Sequence, residues 1–469
     1  MIFCDVFYEC PSCGERTRVN KHNSSWPYLD AIHTDPYIQL HPEFSPLTTD
    51  YRAEVSYLTT LVHLTGINKH CRAEVRLGDQ LISDNNWANF SLGLGDNTAH
   101  ISVVNIEQPE ATILNVYRIT FHRKPAGQIS GFDELKGDYQ VCSLKQDCSL
   151  IFSPALRCGL QPAADVMKWT EFLRQRSTLP QCSDDDSVSG EWMVPCVSCQ
   201  NESSCYWKKA VWQSLGCQEG FLATSKLKDC LAGKRVLFIG DSTNRGILHY
   251  ILQRVNGSLM EGDKTHSIHV YPDFDDGSTV FGFAYYPQFW HRPGVRPGLD
   301  MALNQLLNRT SGWSDRESVL VLGGVHWLAK HHFNILLETL HRDHVNKWTV
   351  IIKGLGAGFH QPLHGVHQLS AMEQQQLYSH NQALLATARR LGFSVVDTFS
   401  MTMSRFRDFL PGRCACHFHQ VSPVQTPAVE QLWTAGAEEK PRARFHIQGD
   451  INAVYSEMVV NRMCMRTAG

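Results

Sequence analysis

The sequence predicts an α/β protein whose parallel sheet is covered by helices on both faces, preceded by a small β-sandwich. Two observations carry that prediction. From Lys234 onward the apolar runs "RVLFIG", "SVLVLGG", "WTVIIKG" and "FSVVDTF" alternate with helical stretches. Near-continuous apolar strands between helices belong to parallel sheets buried on both sides. From about Ile38 to Lys124 the runs are shorter and alternate apolar with polar: "YRAEVSYLTTLVHLTG", "CRAEVRLGDQ", "HISVVNIEQ" and "ATILNVYRITFHR". That period of two suits half-buried antiparallel strands, and several at regular spacing imply a sandwich. At 469 residues the chain has room for two or three cores.

The elements follow in order. Residues 1–37 form an N-terminal segment, 38–125 the sandwich, 126–190 a cysteine-containing connection with the acidic linker "SDDDSVSG", and 191–469 the α/β domain. Cys10 and Cys13 have metal-ligand spacing without a second pair, which leaves metal and disulfide both open. Cys196, Cys199, Cys205 and Cys217 are irregularly spaced and read as disulfides, with Trp192, Trp207 and Trp212 among them as a stapled region packed on the next domain. After Ser242, Ile247, Leu248, Ile251, Leu252 and Val255 fall on one helical face. "MEQQQLYSHNQALLATARRLG" is a second helix, closed by Gly392. Residues 422–444, with Pro423, Pro427 and Pro441, read as a surface insertion.

Composition narrows the class. A formal charge of −3 without a Lys/Arg stripe argues against nucleic acid as a partner. No apolar run approaches the length of a membrane-spanning helix. Sixteen cysteines and five Asn-x-Ser/Thr acceptors, at Asn23, Asn89, Asn201, Asn256 and Asn308, point to an oxidising lumen or the cell exterior. The first eighteen residues do not read as a signal peptide, so the expectation is a fragment or shorter isoform whose targeting sequence lies upstream.

The stretch "RVLFIGDSTNRGILHYILQRV" places Ser242 between a buried strand and a helix, at the carboxyl edge of the sheet where ligands of open α/β sheets bind. The backbone N–H groups of a helix start can receive the negative oxygen of a tetrahedral intermediate. A phosphate-binding turn is the alternative, but the Gly-rich pattern and Lys of a P-loop are missing. "VLFIGDSTNRG", after "DCLAGKRV", resembles block I of the GDSL/SGNH hydrolases, in their PC-esterase branch. "HPEFSPLTTDYRAEV" resembles the opening of cadherin-like β-sandwich domains. The fold implied is an SGNH-hydrolase-like sheet behind a cadherin-like sandwich. By the resemblance Ser242 matches the nucleophile, and Arg245 would help to hold the oxyanion. Asn244 is a candidate side-chain donor or a helix cap. In "VLVLGGVHWL", Gly324, His326 and Trp327 look like block III, with Gly324 N–H as an oxyanion donor, although the family's Asn is not in register.

A serine hydroxyl needs a base, itself oriented by a third group. In this superfamily a C-terminal Asp-x-x-His supplies both. Here "GRCACHFHQV" puts Cys414 and Cys416 three residues before His417 and His419. Three readings stay open. His417, or His419, is the base of a dyad oriented by a carbonyl, by Asp397 or by Asp408. Alternatively the domain is an inactive binding protein. Or Cys414, Cys416, His417 and His419 hold a metal, which alternating strand geometry disfavours; a disulfide to the N-terminal cysteines fits better. The resemblance implies a secretory-pathway ester hydrolase or O-acyltransferase acting on acylated glycans or glycoproteins in the endoplasmic reticulum, the Golgi or outside the cell, with no cofactor. The inactive reading implies an extracellular protein partner, bound through the sandwich.

Overall fold

The structure is a computed structural model. It describes residues 27–464 apart from 71–72, 79, 106–111, 126–138, 164–166, 184–189, 260–265, 275–276, 343–347, 358–369, 411–416 and 425–443. Cys4, Cys10, Cys13, Cys71, Cys414 and Cys416 lie outside these residues, as do Asn23 and most of the proposed insertion.

Alternation builds the sandwich. One sheet holds β1 (Ala31–Asp35), β3 (Leu61–Ile67) and β6 (Ala88–Ser91). The other holds β2 (Asp50–Val55), β8 (Thr112–Arg123), β7 (Gly95–Asn105), β4 (Ala73–Leu77) and β5 (Gln80–Ile82), in that order. In β2 every second residue, Tyr51, Ala53 and Val55, is buried, as a strand with one wet face requires. Those side chains meet Leu64, Ile101, Tyr117, Ile119 and Phe121 in one core. The first strand precedes Ile38, because a five-residue run is too short to stand out by period. The pairing of β2 with β8 is parallel.

The connection folds into an antiparallel sheet of β9 (Gln140–Leu144), β10 (Leu160–Pro162), β11 (Gly190–Cys196) and β12 (Val211–Ser214), with helix α1 (Trp169–Arg176) beside it. Four disulfides staple it: Cys142–Cys199, Cys148–Cys158, Cys182–Cys217 and Cys196–Cys205. Trp192 is buried, donates its indole N–H to the Met401 carbonyl at 2.9 Å and packs on Trp212. The cysteine-rich segment is therefore seated on the α/β domain.

Helix α2 (Thr224–Leu231) leads into that domain. Its sheet runs β14 (His269–Phe274), β15 (Thr279–Tyr285), β13 (Arg235–Gly240), β16 (Ser318–Gly323), β17 (Trp348–Lys353) and β18 (Ser394–Val396). The last five strands are parallel and β14 is antiparallel. Every residue of β13, β15 and β16 is buried; each fully buried Leu, Ile or Val contributes about 1.5–3 kcal/mol. Helices α3 (Ser242–Asn256), α4 (Leu299–Arg309), α5 (Lys330–Arg342) and α6 (Ala371–Arg390) lie between the strands, and α7 (Phe399–Met403) follows β18. In α3 the predicted face is buried through Ile247, Leu248, Ile251 and Leu252, while Val255 is half-buried. Gly392 adopts the left-handed conformation just after α6 and donates to the Arg389 carbonyl. A hairpin of β19 (Gln420–Pro423) and β20 (Phe445–Gln448), then α8 (Asp450–Cys464), complete the chain. Among the described residues no helix is long and apolar enough to cross a membrane.

The strand order places the site. From β13 the chain crosses to β15 on one side and later to β16 on the other. Their helices diverge there, leaving a crevice at the carboxyl ends of the strands. Ser242 is the first residue of the helix that leaves that point.

Candidate active site

Asp241 organises the turn. It caps α3 and is fully buried. Its Oδ1 accepts the Thr243 N–H at 2.9 Å and the Thr243 hydroxyl at 2.7 Å. Its Oδ2 accepts the Val325 N–H at 2.8 Å and the Trp327 indole N–H at 3.1 Å. Four donors hold one carboxylate, and two come from the loop after β16. A Cβ on Gly324 would stand 1.9 Å from Trp327 Nε1 and 2.6 Å from Asp241 Oδ2. Only glycine lets the two turns approach this closely.

Ser242, 4% exposed, has its Oγ hydrogen-bonded to His417 Nε2. His417 exchanges backbone hydrogen bonds with Leu410, at 2.7 and 3.3 Å, just before β19. His419 points elsewhere: its ring packs where a Cβ on Gly246 would be, 5.2 Å centre to centre from the His417 ring. Tyr285, at the end of β15, contacts the Ser242 hydroxyl and N–H. Burial pushes the Tyr285 phenol up to about 12, with Asp241 adding and Arg245 opposing. Arg245 is buried one turn along α3, 5.9 Å from the centre of the Tyr285 ring.

Other expected residues stand differently. The Asn244 amide donates to the Ile239 carbonyl at 2.9 Å and, at 3.5 Å, to that of Val321. That side chain is folded under the helix, so it is neither an oxyanion donor nor the cap. Asp397 accepts from Asn381, Gln382 and the Phe399 N–H, and burial raises its pKa. Asp408 pairs with Arg405. Both carboxylates suggested as orienting groups are thus engaged with partners near their own elements. His326 is exposed, while its neighbours Val325 and Trp327 hold Asp241. Of the glycosylation acceptors, Asn89, Asn201, Asn256 and Asn308 are exposed. Among the described residues no group of three or more His, Cys, Asp or Glu could hold a metal ion.

Sequence reasoning missed Lys353, Tyr285 and the role of Asp241. The signal for Lys353 was present, since a lysine ending "WTVIIK" breaks an otherwise apolar strand at the same sheet edge. A groove of about 2020 Å³ lies between sandwich and α/β domain, lined by Arg118, His446 and Asp450, and Ser242 is not among its lining residues. The hydrogen-bonded Ser–His pair outweighs groove size as a marker of chemistry.

Residues 29–124 match the family model of a cadherin-like beta sandwich domain. Residues 212–276, the stretch that holds Ser242, match the C-terminal domain of NXPE family member 4-like proteins, a PC-esterase family. The first match is thus to a cadherin-like domain and the second to part of a PC-esterase domain. It is also similar to the N-acetylneuraminate (7)9-O-acetyltransferase of Danio rerio, 29% identical over 123 residues. That stretch is 26% of this chain and 14% of the relative, so the chain spans about a seventh of it. The five disulfides of the described residues fit a secreted or secretory-pathway protein.

Proposed function

We propose that the protein is an O-acyl esterase or O-acyltransferase of the secretory pathway, acting through Ser242 on acyl esters of glycan hydroxyls. The hydrogen bond between Ser242 Oγ and His417 Nε2, at a helix start on the sheet's carboxyl edge, is the observation that carries it. Ser242 Oγ attacks the ester carbonyl while His417 Nε2 takes its proton. The carbonyl oxygen becomes an oxyanion received by the backbone N–H groups of Ser242 and Gly324, with the Arg245 charge nearby. Collapse breaks the ester bond, and His417 returns the proton to the departing sugar oxygen. The acyl-serine then passes its acyl group to water or to another hydroxyl, by the same steps reversed. The O-acetyl sugar chemistry in the relative's name is the reason to put a glycan in the acceptor position. The chemistry requires no cofactor. The lumen of the endoplasmic reticulum or Golgi, or secretion, is the setting, with N-glycans at the four exposed acceptors.

Cys414, where the superfamily has its Asp, favours a second reading: a binding protein that has lost catalysis. Fluorophosphonate labelling of secreted, folded protein separates the two. The first reading expects a label that disappears in Ser242→Ala and forms about a thousandfold more slowly in His417→Ala. Folded wild-type protein that never takes the label gives the second.

A further inference from the structure

The strongest unused group is Lys353, at the carboxyl end of β17. It is 2% exposed. Its Nζ donates to the Thr243 hydroxyl at 3.2 Å and to the Gly324 carbonyl at 3.3 Å. A buried ammonium is costly unless it is paired, so its position needs a reason.

The reason is visible at one peptide. The Gly324 carbonyl and the Val325 N–H are the two ends of the same planar unit. Lys353 holds the carbonyl, and Asp241 holds the N–H at 2.8 Å. The Thr243 hydroxyl, meanwhile, receives Lys353 and donates to Asp241. Lysine, threonine and aspartate thus tie the loop after β16 to the turn that carries Ser242.

Resting on the reading of Ser242 as nucleophile, we propose that Lys353 is a positioning residue, which with Asp241 fixes the Gly324–Val325 peptide and so, through the shared Gly324 Cα, sets the direction of the Gly324 N–H on the preceding peptide against Ser242. Preorganised donors act without reorganising at the moment of reaction; a peptide free to rotate would lose that advantage. The ammonium also offsets the Asp241 charge beneath the turn, so the site can accept a developing oxyanion without two uncompensated negative charges.

The facing titratable groups are Asp241 from the turn and Tyr455 from α8, whose ring centre is 5.8 Å from Nζ. Burial lowers the Lys353 amine to about 8, with Asp241 pulling the other way. Burial, with Asp241 adding, pushes the Tyr455 phenol upward, and Tyr285 is pushed to about 12. Burial thus brings Lys353, at about 8, within the range of an alkaline pH profile.

The test is the rate of Ser242 labelling and of small acyl-ester hydrolysis between pH 6 and 10, for wild type, Lys353→Arg and Lys353→Met. Wild type should lose rate as pH rises through about 8. Lys353→Arg should keep the rate and move that limb upward, since guanidinium stays charged. Lys353→Met should lower kcat by about 10- to 100-fold with little change in KM, and the limb should vanish. A folded Lys353→Met that labels at the wild-type rate, or keeps the alkaline limb, overturns the positioning role while leaving the serine reading intact. Wild-type protein that never labels overturns both.

Discussion

Gly246 lies one turn beyond Ser242, on the side of α3 that faces the hairpin. A Cβ there would stand 2.5 Å from His419 Nδ1 and 2.7 Å from the Asn452 side-chain oxygen. Asn452 also donates to the Gly246 carbonyl at 3.3 Å. A larger residue must push the His419 ring outward, and His419 is two residues from His417. Gly246→Val should therefore cost about 2 kcal/mol from overpacking. It should also slow Ser242 labelling at least tenfold, because His417 lies two residues from the displaced His419 on the same short segment. Loss of stability with unchanged labelling of the folded fraction would show that the hairpin absorbs the push. Legibility at this scale follows sequence distance. Ser242 was readable because its strand and helix are its immediate neighbours. His417 was narrowed only to one of two, because neither histidine has an Asp three residues before it to choose between them. Asp241 meets Val325 across 84 residues, and Thr243 meets Lys353 across 110. No spacing rule reaches that far.

Helix α8 shows what an element contributes when it is buried on nearly every side. From Ile451 to Met463 almost all its residues are buried, including Glu457 and Arg462. Arg254 on α3 pairs with Glu457, which also receives the Tyr250 hydroxyl at 2.6 Å. The helix is fastened at its end by the Cys230–Cys464 disulfide to α2, spanning 234 residues of chain. A loop that long carries a chain-entropy effect of about 5 kcal/mol on the denatured state. Replacing both cysteines by serine should lower the thermal midpoint by several degrees or more, and should loosen Asn452 and Tyr455 beneath the site. Calorimetry of the double variant checks this; an unchanged midpoint would mean that packing alone holds α8. The elements were mostly readable as types, through apolar runs and helical faces. Their partners were not: Cys230 joins Cys464, and Cys142 joins Cys199, because the fold and not the spacing brings them together.

At the scale of the molecule, three parts act on one crevice. The sandwich is tied to the connection by Arg123, which donates to the Tyr57 carbonyl at 2.9 Å and to that of Leu92 at 3.0 Å and also reaches Ser203. It touches the hairpin that follows His417 through Arg118 and Gln420. Around the crevice two histidines are held neutral by burial: His249 on α3, pushed down to about 3 with Arg245 and His269 adding, and His332 on α5, pushed down to about 4 with His331 adding. His332 Nδ1 also accepts the Ala329 N–H at 3.0 Å, a bond that protonation there breaks. Both folded values lie below the ordinary 6.5, so the unfolded chain binds these protons first as pH falls. The stability they confer is complete above pH 6.5 and is lost on descending toward 4 and then 3. At pH 5 the loss is at most about 2 kcal/mol for His249 and less for His332, which solvent screens more. Asp397 has the opposite sign, since its raised pKa favours the folded state on acidification, but it stands against these two imidazoles and that of His100 in the sandwich, which burial also lowers to about 4. The urea midpoint should therefore fall between pH 7.5 and 5, and His332→Gln, which keeps an acceptor without the titration, should flatten part of that fall. A midpoint unchanged over this range would mean that the two rings reach water before the fold gives way.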